Sequence, residues 1–138
     1  MLETKTFGGT IDGHLDSPVW TQRMGGGVVL GQLRNPVLQN QAHVRALQGF
    51  LGDLRAPICG YVVSAGRARF SPEVADAVVS VRDLRWVLSI SFAEPNPRVL
   101  NAAWRRLERE AAKSDGRRAA HEAYARRRRE AFQHRRHV

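Results

Sequence analysis

The sequence predicts an α/β domain followed by a basic helical tail. Short apolar runs alternate with helical patterns as far as about residue 90, an order typical of α/β proteins. The net charge is +9, and residues 98–138 hold thirteen basic and five acidic residues, against nine and eight in residues 1–97. Glu94-Pro95-Asn96-Pro97 is a natural break between these regions. We therefore expect a domain over residues 1–94 and a basic tail over residues 95–138.

Composition excludes several classes of protein. A chain of 138 residues suits one ordinary domain, and it contains no run near the ~20 apolar residues that a membrane span requires. The single cysteine, Cys59, excludes an internal disulfide and a cysteine-rich zinc site. Beside an apolar run, Cys59 is expected to be buried as a small hydrophobic residue. Charged residues in the first twenty positions argue against a secretory signal. We expect a cytoplasmic protein without a membrane partner.

Strand signals dominate the first third of the chain. Residues 2–7 alternate apolar and polar side chains, which favours a strand. Gly8-Gly9 is a turn signal, and residues 10–14 are expected to return as the second arm of a hairpin. Another short strand is predicted at residues 19–21. The run Gly25-Gly26-Gly27 is not followed by Lys-Ser/Thr, so it is interpreted as a connecting loop and not as a phosphate-binding P-loop.

Helices begin where capping residues precede an apolar stripe. Asn35 is a favoured N-cap, and proline suits the first helical position because its missing N–H would be unpaired there. A buried strand is expected at residues 58–63 and a brief one at 77–80. Ser80 is then predicted to cap a helix over residues 81–90. A later helix is predicted over residues 98–113, with its apolar face formed by Leu100, Trp104, Leu107 and Ala111.

Residues 117–138 have high helix propensity but few large apolar side chains, and they are expected to be helical only with a partner. This stretch contains Arg126, Arg127, Arg128 and Arg129. Such a run binds nucleic-acid phosphates through counterion release. The alternative is a solvated helix in which glutamates pair with the arginines. Both interpretations stay open on the sequence alone.

Three motifs, taken in order, carry a family resemblance. They are Leu2-Glu3-Thr4-Lys5 with Gly8-Gly9 and Ile11-Asp12-Gly13, then Trp20-Thr21-Gln22, then Asn35-Pro36-Val37-Leu38-Gln39-Asn40-Gln41-Ala42-His43. Together they resemble the NERD (nuclease-related) domain, a branch of the restriction-endonuclease-like, PD-(D/E)xK, superfamily. The resemblance covers roughly residues 2–90 and implies a partial core of that fold, a mixed sheet with flanking helices.

The residues support such a site on chemical grounds. Residues two apart in a strand point to one face, so Glu3 and Lys5 stand side by side. A carboxylate can bind Mg²⁺, and a neighbouring lysine can orient a water or stabilise developing charge. The alternative is an exposed ion pair of little energetic value. The resemblance implies Glu3 as metal ligand, Lys5 and Gln39 as catalytic partners, and His43 and Asn35 as supporting residues.

One departure from the family pattern shapes the functional expectation. The superfamily takes a further aspartate from the strand before the Glu-x-Lys strand, whereas Glu3 is already the third residue here. We therefore expect an N-terminally truncated domain that binds Mg²⁺ weakly, if at all, and is inactive alone as a DNA phosphodiesterase. An open sheet edge would favour self-association. The alternatives are a non-catalytic nucleic-acid-binding protein that uses Arg126–Arg129, and a protein-interaction module.

Overall fold

A computed structural model describes residues 1–90, 96–114, 116, 119, 122–124 and 126. The chain divides into two compact units, Met1–Asn96 and Pro97–Val138. The first unit is a mixture of helices and strands, so the predicted α/β class is confirmed. Its strands are divided between two sheets. No described helix has the length and apolar character needed to cross a membrane.

The first sheet is parallel and three-stranded. Its strands are β1 (Leu2–Lys5), β5 (Tyr61–Ser64) and β7 (Val78–Ser80), with β5 in the centre. The register aligns Lys5 of β1 with Ser64 of β5. Parallel neighbours require long crossover connections, and helix α1 (Pro36–Leu51) lies in the connection from β1 to β5. It contacts both strands.

The second sheet has four strands, in the order β4 (Val29–Arg34), β3 (Val19–Arg23), β2 (Thr10–Asp12) and β6 (Arg69–Phe70). β3 pairs antiparallel with β2 and β4, and β6 pairs parallel with β2. β4 and β6 were not expected from the sequence. The apolar run that opens β4 does not alternate, and β6 is only two residues long, so neither gives a period-2 signal.

The predicted hairpin between residues 2–7 and 10–14 is wrong. β1 pairs with β5, and β2 pairs with β3 and β6, so the two segments belong to different sheets. Gly9 has a φ of 72°, and a Cβ there would overlap the carbonyl oxygen of Arg23. Gly8-Gly9 therefore connects β1 of the first sheet to β2 of the second sheet. Glycine at this point permits the close approach of the backbone to β3.

One cluster of fully buried apolar residues in this unit lies against the second sheet. Ile11, Trp20 and Val74 are fully buried, and Val37 of α1 and Val78 of β7 pack on them. The indole N–H of Trp20 donates to the carbonyl of His14 at 3.0 Å. Val74 belongs to the short helix α2 (Pro72–Ala75). The core thus joins α1 and the edge strand β7 of the first sheet to the second sheet.

Helix α3 (Val81–Ile90) begins where the sequence predicts. The Ser80 hydroxyl accepts from the N–H of Asp83 at 3.2 Å and donates to its carboxylate at 2.6 Å, which is a reciprocal N-terminal cap. The prediction for Cys59 is wrong, because its side chain is exposed. β5 begins only at Tyr61, and its burial is concentrated on Val62, Val63 and Ser64.

The second unit contains α4 (Pro97–Ala112), which confirms the predicted helix. Its expected apolar face is only partly correct, since Leu100 is 41% exposed and Trp104 is 63% exposed. Ala103 is buried instead. Trp104 uses its indole N–H to bind the carboxylate of Glu108 at 2.6 Å, one helical turn away. The indole is therefore held along the surface of the helix.

Candidate active site

Strand β1 presents Glu3 and Lys5 on one face of the parallel sheet. The Lys5 Nζ lies 2.6 Å from Oε1 of Glu3, and the side chains are 27% and 16% exposed. Both groups are thus partly shielded from water, which makes their attraction stronger than that of a fully exposed surface pair. The pair stands at the edge of the sheet, because in the described part of the chain β1 pairs only with β5.

Helix α1 adds two further side chains from one of its faces. Gln39 accepts a hydrogen bond from Lys5 Nζ at 3.2 Å through Oε1. His43, one turn later, has its Nδ1 3.4 Å from Oε2 of Glu3. We call Glu3, Lys5, Gln39 and His43 the Glu3–Lys5 cluster. Each end of the ion pair thus has its own partner on α1, and the spacing of four residues matches one helical turn.

Asn35 holds the helix that carries these partners. Its Oδ1 accepts from the N–H groups of Val37 and Leu38 at 2.9 and 3.3 Å. Its Nδ2 donates to the carbonyls of Leu15 and Ser17 at 2.7 and 2.8 Å. Buried to all but 2%, Asn35 ties the start of α1 to the loop after β2. It contributes no group to the cluster itself and acts on the position of Gln39 and His43 through the helix.

The structure brings one further polar group to the same face. Ser64 is the register partner of Lys5 in the neighbouring parallel strand, so the two side chains share a face. The Ser64 hydroxyl is buried and has no hydrogen-bond partner among the described residues. Ser64 was not predictable from the sequence, because its proximity to Lys5 depends on the pairing of strands almost sixty residues apart.

The other acidic residues near the motif lie elsewhere. Asp12 forms a 2.8 Å ion pair with Arg23 on the second sheet, and Asp16 is exposed beside His14. Within the described residues, no group of three or more His, Cys, Asp or Glu side chains is arranged to hold a metal. The cluster therefore offers one carboxylate, Glu3, and one amide oxygen, Gln39.

The basic residues singled out in the tail are far less completely described. Arg126 is helical and exposed. Arg127, Arg128 and Arg129 lie outside the described residues. The structure therefore brings together Glu3, Lys5, Gln39 and His43. It places Asn35 at the start of α1. Of the four tail arginines, it describes Arg126 alone.

Comparison with known proteins agrees with the N-terminal motifs. The family model of the nuclease-related domain, NERD, matches residues 1–65. The matched region contains β1, three strands of the second sheet (β2, β3 and β4), α1 and β5. It ends one residue after Ser64. No curated protein and no solved structure matches the chain. Residues 1–65, which carry the whole Glu3–Lys5 cluster, are thus similar to the nuclease-related (NERD) domain family.

Proposed function

We propose that the Glu3–Lys5 cluster is part of a metal-dependent site for hydrolysis of phosphodiester bonds in nucleic acid, with DNA as the substrate. The observation that carries this proposal is the placement of Lys5. Its ammonium group lies within 3.2 Å of both the Glu3 carboxylate and the Gln39 amide. The placement occurs in a region that matches a nuclease-related family.

The oxygen atoms of the cluster are of the type that binds Mg²⁺, but they are too few to hold the ion tightly. Mg²⁺ prefers carboxylate and amide oxygens and retains several waters, and the cluster supplies Glu3 and Gln39. A single carboxylate that also faces Lys5 and His43 would hold the ion weakly. When bound, the metal would lower the pKa of a coordinated water and neutralise charge on the phosphate. A strand added at the edge of β1 is the place from which a second carboxylate would complete the site.

The chain's own residues have distinct roles in this proposal. A lysine ammonium has three N–H donors, and two of them are directed at Glu3 and Gln39. The third is available for a phosphate oxygen or a water. Gln39 accepts a hydrogen bond from the lysine on the side of α1, and the His43 ring lies 3.4 Å from the second carboxylate oxygen of Glu3. The result is an ordered cation beside an ordered carboxylate, which is the pairing that general-base and electrostatic catalysis requires.

The proposal is tested first by binding of a metal to the intact chain. Mn²⁺ should broaden the amide NMR signals of β1 and the first turns of α1 at millimolar concentration, and Glu3→Gln should abolish this local broadening. Asp16→Asn removes an exposed carboxylate and should leave the broadening unchanged. The proposal is wrong if Mn²⁺ gives no broadening at β1, or if Glu3→Gln does not alter it.

Catalysis is tested with a nicked-plasmid assay. With Mg²⁺ or Mn²⁺, we expect nicking by the chain alone to be slow or absent. Any nicking should disappear in Glu3→Gln and in Lys5→Met, since both remove groups proposed to act at the phosphate. Nicking that persists in both variants would place the activity elsewhere.

A second candidate function, nucleic-acid binding by the basic tail, is favoured by one observation on α4. Arg98, Arg105 and Arg109 are all exposed and follow one another by seven and four residues, which puts them on one face of the helix. The exposed indole of Trp104 lies on the adjacent face. A row of cations beside an aromatic ring suits a phosphate backbone and its bases.

The salt dependence of DNA binding tests this second function. The double variant Arg105→Gln/Arg109→Gln should weaken binding and reduce the slope of log K against log salt by about two, since each phosphate contact contributes about −0.9. Arg82→Gln/Arg85→Gln on α3 removes the same charge elsewhere and serves as the control. Equal losses in both double variants would show that net charge, and not the α4 face, determines binding.

A further inference from the structure

A small groove lies next to the Glu3–Lys5 cluster, between α1 and the residues that lead into β5. It has a volume of about 260 Å³ and is lined by Asn40, Gln41, Val44, Arg45 and Gly60. Asn40 and Val44 directly follow Gln39 and His43 in the sequence of α1. Asn40 and Val44 therefore lie on the face of α1 adjacent to the face that carries Gln39 and His43.

Asn40 gives the groove an unusual polar wall. The residue is 5% exposed, and its Oδ1 is buried without a hydrogen-bond partner among the described residues. An unpaired buried acceptor costs about 1–3 kcal/mol. This oxygen thus contributes no hydrogen bond to the described part of the fold. A donor from outside the chain would satisfy it.

Gly60 and Arg45 define the rest of the groove. A Cβ at Gly60 would lie 2.6 Å from Nδ2 of Asn40 and 2.7 Å from Cγ2 of Val44, so any side chain there would displace the amide. Val44 supplies an apolar surface. Arg45 is exposed at the rim, where its guanidinium is able to pair with an anion. The groove thus combines an amide, an apolar contact and a cation.

We propose that this groove is a subsite for an adenine nucleotide of the nucleic-acid strand that crosses the Glu3–Lys5 cluster. An asparagine amide matches the adenine edge, since Oδ1 accepts from the exocyclic amine and Nδ2 donates to N7. In the structure Oδ1 is buried, so a ligand would bind this edge only after rotation about χ2 of Asn40, which is a broad torsion. Arg45 would bind the phosphate. The volume lies just below the ~300–1,000 Å³ of sites for larger ligands, and it suits a single base.

This inference rests on the proposed function, because a phosphodiesterase meets nucleotides on both sides of the bond it cleaves. It goes further by naming a base and the residues that select it. An ordered water on Asn40 is the competing explanation of the unpaired oxygen. Such a water would give no base preference.

The experiment is an NMR titration of the full chain with 2′-deoxyadenosine 5′-monophosphate. The amide signals of residues 40–45 and 60 should shift and saturate. Purine 2′-deoxyriboside 5′-monophosphate, which lacks the exocyclic amine, should bind at least tenfold more weakly. Asn40→Leu should cause a similar loss. Equal binding of the two nucleotides, or shifts unaltered by Asn40→Leu, would overturn the proposal in favour of an ordered water.

Two glycine variants make a matched pair for the same titration. Gly60→Ala should abolish saturable binding, whereas Gly49→Ala, whose new Cβ has no neighbour within 4 Å, should not affect it. Arg45→Gln tests the phosphate contact even if Gly60→Ala fails to fold, and it should weaken the mononucleotide but not deoxyadenosine. A loss of binding in Gly49→Ala, or unchanged phosphate affinity in Arg45→Gln, would contradict the assignment.

A last arm separates the subsite from the proposed function. The oligonucleotide d(A)₄ should bind more tightly than the mononucleotide and should also shift the signals of β1. Lys5→Met should remove only the β1 shifts. Mn²⁺ binding at Glu3 without adenine binding would reject the groove and leave the phosphodiesterase proposal intact. Adenine binding without any effect on the β1 signals would identify a site for a free nucleotide. It would reject the proposal that a nucleic-acid strand crosses the Glu3–Lys5 cluster.

Discussion

The two sheets of the first unit differ in the side chains that they carry. The second sheet carries the fully buried residues Ile11 and Trp20, whereas the edge strand β1 of the parallel sheet carries a polar, partly buried pair. The same α1 serves both, because Val37 packs on the core and Gln39 reaches Lys5. The Glu3–Lys5 pair is therefore not part of the buried cluster of Ile11, Trp20 and Val74. Changes in the core should therefore abolish both fold and site, and changes in the site should spare the fold.

Removal of the central core residue should have the largest effect. Trp20→Ala leaves a cavity against Ile11 and Val74 and should lower the free energy of unfolding by about 3–5 kcal/mol. Urea denaturation followed by circular dichroism measures the change. Trp86→Ala is the matched control, because that indole is 65% exposed, and it should cost no more than about 0.5 kcal/mol. Equal losses in the two variants would show that the second sheet does not hold the core of the fold.

The next effect concerns the link between core and site. Asn35→Ala removes the N-cap of α1 and takes away the side-chain donor that binds the part-buried carbonyls of Leu15 and Ser17. We expect a loss of about 2–3 kcal/mol, above the ~1 kcal/mol of an ordinary cap. Gln48→Ala, at an exposed position of the same helix, should be nearly neutral. A loss near 1 kcal/mol would mean that Asn35 acts as a simple cap and does not anchor the loop.

The site itself should contribute little to stability but show clear coupling. Glu3→Gln and Lys5→Met should each change the free energy of unfolding by about 1 kcal/mol, since the pair is only partly buried. The double variant should lose less than the sum of the single variants, with a coupling of at least ~0.5 kcal/mol. A double-mutant cycle by urea denaturation measures this coupling. Strict additivity would contradict the 2.6 Å ion pair.

Features formed by residues close together in the sequence could be predicted, and features formed by residues far apart in the sequence could not. Helix starts are local, so Asn35-Pro36 and Ser80 predicted the starts of α1 and α3. The side-by-side placement of Glu3 and Lys5 is also local and follows from strand periodicity. Strand pairing is not local, so Gly8-Gly9 suggested a hairpin whereas β1 pairs with a strand almost sixty residues later. For the same reason Ser64 and the groove at Gly60 had no sequence signal.

The smallest effect lies at α2, which supplies Val74 to the core. Glu73 is the second residue of this helix, and a hydrogen bond from its own backbone N–H holds the pKa of its carboxyl below the usual range. A carboxyl whose pKa is lower in the folded state stabilises the fold above its unfolded pKa, and this contribution is lost as the pH falls through the folded pKa. Urea midpoints measured from pH 7 down to pH 3 should therefore fall slightly less steeply in Glu73→Gln than in the unaltered chain. Identical pH profiles would mean that the Glu73 carboxylate makes no hydrogen bond at the start of α2 that depends on its charge.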